Sequence, residues 1–276
     1  MEAIVKAALE DFRRDGYAIV PRGLGESEVD ALRAASATLF DGDSREASPS
    51  DVLGAEEIAA LVFDELGVRF LRELLGDPYV VYPNLAMRKN FFTGWHVDQA
   101  FTGPGRELVW DPDYCHVSVS VYLQENTEEA GGGIDVVPGS HLTSFDGFGQ
   151  ARPQVKTALA LPEYAERIVR TEPAPGDLLI KHARLLHGST VPADESAAKA
   201  RDKYGFGYSA GRLDAFENNR FITHLATKRI NVLRGEQVRH ERHTQEMALS
   251  YPRDFPASFR AGVEQTGVVV RTFDTC

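Results

Sequence analysis

The sequence predicts a mainly β fold, a sandwich or barrel, buttressed by α-helices. Three observations carry this expectation. Helical periodicity dominates the first part of the chain, short strand-like runs take over from Tyr79, and Gly/Pro/Asp turns separate those runs. Helices first and many strands afterwards fit a β core with a helical layer packed on it.

The elements follow in order. Residues 2–14 read as a helix, with Ile4, Val5, Ala8, Leu9 and Phe12 at helical spacing, and Asp15-Gly16 ends it. Tyr17-Ala18-Ile19-Val20 is a short strand closed by Pro21. Ser27 is the expected N-cap of a second helix running to about Leu39, with Val29, Leu32, Ala35 and Leu39 inward. Residues 41–54, rich in Asp, Ser and Gly, read as a surface loop. A third helical region spans Ala55 to Leu75, with a break expected near Gly67 and a stop at Gly76-Asp77-Pro78. All three helices read as scaffold.

Strands are expected at Tyr79–Tyr82, Met87–Phe92, His116–Leu123, Ile134–Val137, Asp177–His182 and Tyr204–Tyr208. The run from His116 alternates polar and apolar residues, as a strand with one buried face should. Glu129 to Gly133 is a turn. In the C-terminal part, residues 212–276, loops, a helix around 235–249 and a last strand at Val268–Val270 are expected. A single domain over 1–276 follows: a helical buttress to 78, a β core over 79–210 and an extension over 211–276.

Composition excludes several classes. A formal charge of −11 argues against a nucleic-acid surface and gives no reason to expect binding to anionic membranes. No run of ~18 apolar residues marks a membrane span. The N-terminus lacks the basic start and apolar core of a signal peptide. Two cysteines, Cys115 and Cys276, do not make a disulfide framework, and a reducing cytoplasm is the simpler setting.

Chemistry concentrates at Trp95-His96-Val97-Asp98-Gln99. On a strand, residues i and i+2 share a face, so His96 and Asp98 would aim an imidazole nitrogen and a carboxylate oxygen at one point. Together with a distant second histidine they would form the 2-His-1-carboxylate triad of non-haem Fe(II) enzymes, which leaves three octahedral positions open. Among the eight histidines, His187 stands out by context, in Leu185-Leu186-His187-Gly188-Ser189. It follows the strand at 177–181 and opens another. His240 and His243 read instead as a solvated helix face.

Arginine suits a buried carboxylate anchor because its planar fork binds bidentately and keeps its charge. Arg201 precedes the strand at Tyr204, and one short hairpin would bring it beside His187. Lys199 and Lys203 flank it as fallback donors.

These residues together resemble the phytanoyl-CoA dioxygenase (PhyH) family of Fe(II)- and 2-oxoglutarate-dependent oxygenases. The likeness is carried by Phe12, Asp15, Gly16 and Tyr17, by His96 and Asp98, and by Ala130-Gly131-Gly132 leading to Pro138-Gly139-Ser140-His141. Gly176-Asp177, Leu186-His187-Gly188-Ser189 and Arg201 complete it. The resemblance implies a double-stranded β-helix (jelly-roll, cupin-like) core. It implies His96, Asp98 and His187 as catalytic iron ligands, Arg201 as anchor of the far carboxylate of 2-oxoglutarate, and Ser189 and Lys89 as further cosubstrate contacts. His141 and Asp177 would order backbone around the site. Fe(II), 2-oxoglutarate and O2 are the implied cofactors, and oxidation of a small organic molecule, most simply hydroxylation with release of succinate and CO2, is the implied reaction. Asp98 argues against halogenation, for which relatives carry glycine or alanine there.

Gln99, Phe101, Trp110 and Tyr114, interrupted by Gly103-Pro104-Gly105, are the expected substrate wall. Arg212, Phe216 and Arg220 would make a second wall or hold the C-terminal extension. Alanine- and arginine-rich composition fits a natural-product tailoring role. Two other readings stand beside this one: a non-catalytic binding protein of the same fold, and a cupin-like metalloenzyme without cosubstrate.

Overall fold

The structure, a computed structural model, describes residues 1–82, 85–98, 115–142, 162–213 and 255–270. The N-terminal helix α1 (Glu2–Asp15) buries Val5, Ala8, Leu9 and Phe12, the stripe that its spacing predicts, and Gly16 ends it in a left-handed conformation (φ +82°). Strand β1 (Tyr17–Val20) follows directly.

Helix α2 (Glu26–Ala37) starts two residues earlier than expected, because Gly25 rather than Ser27 is its N-cap and the Glu28 carboxylate accepts the Gly25 N–H at 2.9 Å. Residues 41–54 are not only loop. They hold β2 (Glu46–Ala47) and α3 (Pro49–Gly54). Here Ser48 and Pro49, polar enough to pass for loop, are start signals: Ser48 Oγ accepts the Asp51 N–H at 3.2 Å and Pro49 fills the first turn.

The third helical region breaks earlier than Gly67. After α4 (Glu56–Ala59) and a 3-10 turn at Ala60–Phe63, α5 (Glu65–Leu75) restarts at the cap Asp64, whose Oδ1 accepts the Gly67 N–H at 3.0 Å. Gly67 stays inside α5 because Leu178 crosses it; a Cβ there would lie 2.9 Å from Leu178 Cδ1.

The strands that follow are β3 (Tyr79–Val81), β4 (Ala86–Lys89), β5 (His116–Tyr122), β6 (Ile134–Val136), β7 (Val169–Arg170), β8 (Leu178–His182), β9 (His187–Ser189), β10 (Tyr204–Arg212) and β11 (Val269–Val270). Short helices α6 (Pro162–Ala165) and α7 (Glu195–Lys199) and the longer α8 (Ala257–Thr266) lie between them. The helix expected around 235–249 lies outside the described residues.

An eight-stranded sheet runs β1-β8-β5-β10-β3-β11, with β4 also on β10 and β2 on β4; a three-stranded sheet runs β7-β6-β9. A backbone bridge between His96 and His187 extends the smaller sheet. The two sheets face each other as in a double-stranded β-helix, with helices on the outer face of the larger one. Alternation along the strands assigns the faces. Val117, Val119 and Val121 of β5 and Tyr204, Phe206, Tyr208 and Ala210 of β10 join the apolar core under the helices. Their neighbours Ser118, Ser120, Gly205, Gly207 and Ser209 face the space between the sheets. A cavity therefore opens between the sheets beside a small apolar cluster of Ile134, Val136, Leu179 and Leu185, while the larger core lies under the helices.

Candidate metal centre

His187 begins β9, and its backbone exchanges two hydrogen bonds with His96, at 2.8 and 3.0 Å. Only that pairing is strand-like. His96 stands in an isolated bridge rather than a regular strand, yet the expected i, i+2 alternation holds: Trp95 and Val97 pack on one side, and His96 and Asp98 line the cavity on the other. Asp98 Oδ1 lies 3.5 Å from His96 Nε2 and 3.5 Å from His187 Nε2. One ligand atom from each of the three residues falls within 4.8 Å of the others.

The donor chemistry fits a divalent cation. His96 Nδ1 is 2.7 Å from the Gly94 carbonyl and His187 Nδ1 is 2.9 Å from the Leu185 carbonyl. A carbonyl only accepts, so each Nδ1 carries the proton and each Nε2 turns a bare lone pair inward. Burial, reinforced by the nearby Lys181 ammonium, lowers the His187 pKa to about 3, which keeps it a neutral ligand. Burial alone would raise the Asp98 carboxyl, but Lys181, then His187 and His96, hold it well below the usual carboxylate range.

The sequence motifs explain this geometry. Val97 and Trp95 point away from the site into a small cluster with Val137 and Leu186. Gly188 lets the chain at Trp95 approach: a Cβ there would lie 3.1 Å from the Trp95 nitrogen. Ser140 Oγ accepts the Leu186 N–H at 2.9 Å, steadying the residue before His187. Asp177 accepts the backbone N–H groups of Arg22 (2.9 Å) and Ala174 (3.1 Å) and so orders the entry to β8, as expected of it.

A cavity of about 380 Å³ opens onto the three residues. Ser189, half-buried, lines it and accepts the Thr93 N–H at 2.9 Å. Lys89 stands aside, 3.3 Å from Asp202. Arg201 was expected at the cavity but lies outside it: its guanidinium is 3.4 Å from Asp30, with 64% of the side chain exposed. Where one hairpin was expected, α7 occupies the segment between His187 and Arg201. Gln99, Phe101, Trp110 and Tyr114 lie outside the described residues, as do Phe216 and Arg220.

Cavity groups not singled out from sequence include Lys181, His116, Arg88 and Ser209. Lys181 carried a signal, a lysine inside Leu178–His182, a strand in which every residue is buried. Lys203, noted only as a fallback donor, also lines the cavity and is 8% exposed.

Comparison with known proteins agrees with this picture. Residues 80–191 match the model of the family described as phytanoyl-CoA dioxygenase (PhyH). The chain is 27% identical to the ectoine dioxygenase of Streptomyces avermitilis over 235 residues, 76% of this chain and 68% of that one. Among solved structures, it resembles the non-haem α-ketoglutarate-dependent epimerase SnoN from nogalamycin biosynthesis, with TM-score 0.58 and 20% identity over 77% of this chain and 84% of that one. It also resembles HygX from Streptomyces hygroscopicus, solved with nickel and 2-oxoglutarate bound, with TM-score 0.58 and 18% identity over 75% and 87% of the two chains.

Proposed function

We propose, from the chain's membership in the PhyH superfamily of Fe(II)- and 2-oxoglutarate-dependent dioxygenases, that it is an oxidoreductase hydroxylating a small organic molecule. The observation that carries the reading is the convergence of His96 Nε2, Asp98 Oδ1 and His187 Nε2 beside the cavity.

His96, Asp98 and His187 would hold Fe(II). Iron bound there, with 2-oxoglutarate and O2, would supply the oxidising power, releasing succinate and CO2 as the substrate is oxidised. The chain's own residues bind, orient and exclude water. Lys203 is the proposed partner of the far carboxylate of 2-oxoglutarate. It is buried, lines the cavity and donates only to the carbonyls of Ala198 and Arg201. Among the described residues no carboxylate lies within ion-pair distance of it, so an anion from the cavity would complete its pairing. Ser189, on the ligand strand, would add a hydroxyl. Arg201 takes this role only by leaving Asp30 and turning inward.

The same reading treats 1–276 as one oxygenase domain, supported by β1 and β11: both come from the flanks and both are hydrogen-bonded into the larger sheet. Two cysteines support a reducing, cytoplasmic setting. No helix among the described residues is long and apolar enough to cross a membrane. The relatives' names, ectoine dioxygenase and an epimerase of nogalamycin biosynthesis, favour a small-molecule substrate of natural-product metabolism.

The test is anaerobic. Protein loaded with Fe(II) and 2-oxoglutarate should show the visible metal-to-ligand charge-transfer band, and His187→Ala should lose it. If the band is missing although both iron and cosubstrate are demonstrably present, the oxygenase reading fails in favour of a binding protein or a cosubstrate-free metalloenzyme.

A further inference from the structure

Asp98 divides its two oxygens. Oδ1 faces the point shared with His96 Nε2 and His187 Nε2, 3.5 Å from each, and Oδ2 accepts from the Lys181 ammonium. Lys181 is well placed to impose this division. Its side chain is 6% exposed. It stands on β8 between two fixed neighbours, opposite Ser118 on β5 and opposite Tyr17 on β1. Its backbone cannot shift without the whole register slipping. A buried ammonium requires an anion, and among the described residues Asp98 is the carboxylate that it meets.

We propose that Lys181 is a positioning residue that occupies the outer oxygen of Asp98 and makes that carboxylate a one-oxygen metal ligand. The inference rests on the metal reading given above and deepens it. A free carboxylate can chelate a cation through both oxygens. With two histidines, a chelating Asp98 would take four of six octahedral positions and leave two. With Oδ2 held by Lys181, the three residues take three positions and leave three, the number needed by a chelating 2-oxoacid and one further ligand. A cation placed elsewhere in the cavity would balance charge but would not choose between the oxygens. The choice comes from contact with Oδ2 alone.

Cobalt(II) reports changes in its ligand set through visible absorption, so the test needs no turnover. Wild-type, Lys181→Met and Lys181→Arg proteins are titrated with Co(II). Wild type and Lys181→Arg, which keeps a cationic donor, should share one spectrum. Lys181→Met should give a shifted band, because the second oxygen replaces a bound water and changes the ligand field. A second measurement needs no variant, and so stands even if Lys181→Met does not fold. The infrared difference between Co(II)-loaded and metal-free wild type should show the widely split carboxylate stretches of a single-oxygen ligand. Cobalt uptake with an unchanged Lys181→Met spectrum, or a narrow chelate-type splitting in wild type, overturns this inference and leaves the metal reading intact. If wild-type protein takes up no cobalt, the metal reading falls and this inference falls with it.

Discussion

The imidazole of His141 packs on the bare Cα of Gly16: a Cβ built there would run into its ring. Two segments far apart in sequence, Asp15-Gly16-Tyr17 and Pro138-Gly139-Ser140-His141, therefore form one structural joint. The Gly139 N–H donates to the Asp15 carbonyl at 2.8 Å, and the His182 N–H donates to the Gly16 carbonyl at 2.8 Å. The joint ties α1 to the β8 end of the larger sheet and to the segment that supports His187. Gly16→Ala meets two obstacles, a left-handed φ of +82° and the His141 ring. The expected loss is about 2–3 kcal/mol, of which the backbone strain is about 1 kcal/mol. Urea denaturation measures it. A loss below about 0.5 kcal/mol would mean that the ring is free to move away.

His141 also gives the fold a pH dependence. Burial, then the Arg184 guanidinium, lowers its pKa to about 4, against a backbone hydrogen bond at Arg13 and the Asp15 charge, which raise it. The folded value lies below the unfolded value of roughly 6.5, so between the two the unfolded chain binds a proton that the folded chain refuses. Stability is whole above about pH 6.5 and falls as pH drops toward 4, at no more than roughly 1 kcal/mol per pH unit from this group. His141→Gln cannot titrate and should make the fall of the denaturation midpoint between pH 7 and 5 shallower, His187 keeping its own share. A variant with the parent's slope would assign that slope to other groups.

Asn126 is a buried polar hub beneath the smaller sheet. Its Nδ2 donates to the Thr171 carbonyl at 2.9 Å and Thr190 Oγ1 at 2.8 Å, with the Ile134 carbonyl sharing a hydrogen at 3.3 Å, while its Oδ1 accepts the Gly133 N–H at 3.0 Å. Asn126→Ala would strand several of these groups away from water. At about 1–3 kcal/mol for a stranded buried group, a loss on the order of 3 kcal/mol is expected in chemical denaturation. Because Asn126 braces β6 and the residue after β9, metal affinity should fall with it; unchanged stability would remove the hub from this account.

Much of the architecture was legible because it rests on local signals. The stripe of α1, the alternation of β5 and β10 and the turn glycines each report one element. The three converging positions were legible as well, since His96, Asp98 and His187 sit in motifs whose neighbours, such as Gly188 and Ser140, have backbone tasks of their own. What sequence did not convey is direction. Asp194 caps α7 by accepting the Ser196 N–H at 2.7 Å, and this helix, unseen in the sequence, leaves Arg201 on the surface beside Asp30. Lys181 could be noticed as a charge in an apolar strand, but its partner could not, because β8 meets Asp98 only through tertiary packing.

Arg201 and Lys203 make opposite predictions for cosubstrate binding. They lie two residues apart, yet Lys203 is buried beside β10 and lines the cavity, whereas Arg201 is exposed. On β10, Gly205, Gly207 and Ser209 continue the cavity-facing alternation that Lys203 begins, so Lys203 borders the open space beside them. A charge-assisted hydrogen bond to a carboxylate contributes about 1.5–3 kcal/mol. Lys203→Met should therefore weaken 2-oxoglutarate binding to the metal-loaded protein on the order of tenfold or more, by the relation of about 1.4 kcal/mol per decade. The exposed Arg201–Asp30 pair contributes little, so Arg201→Ala should change that affinity by less than about threefold. Titrating the charge-transfer band with 2-oxoglutarate gives both numbers. The reverse ranking would show that Arg201 leaves Asp30 and turns inward when cosubstrate binds, and Lys203 would then be a buried strut for the α7–β10 connection.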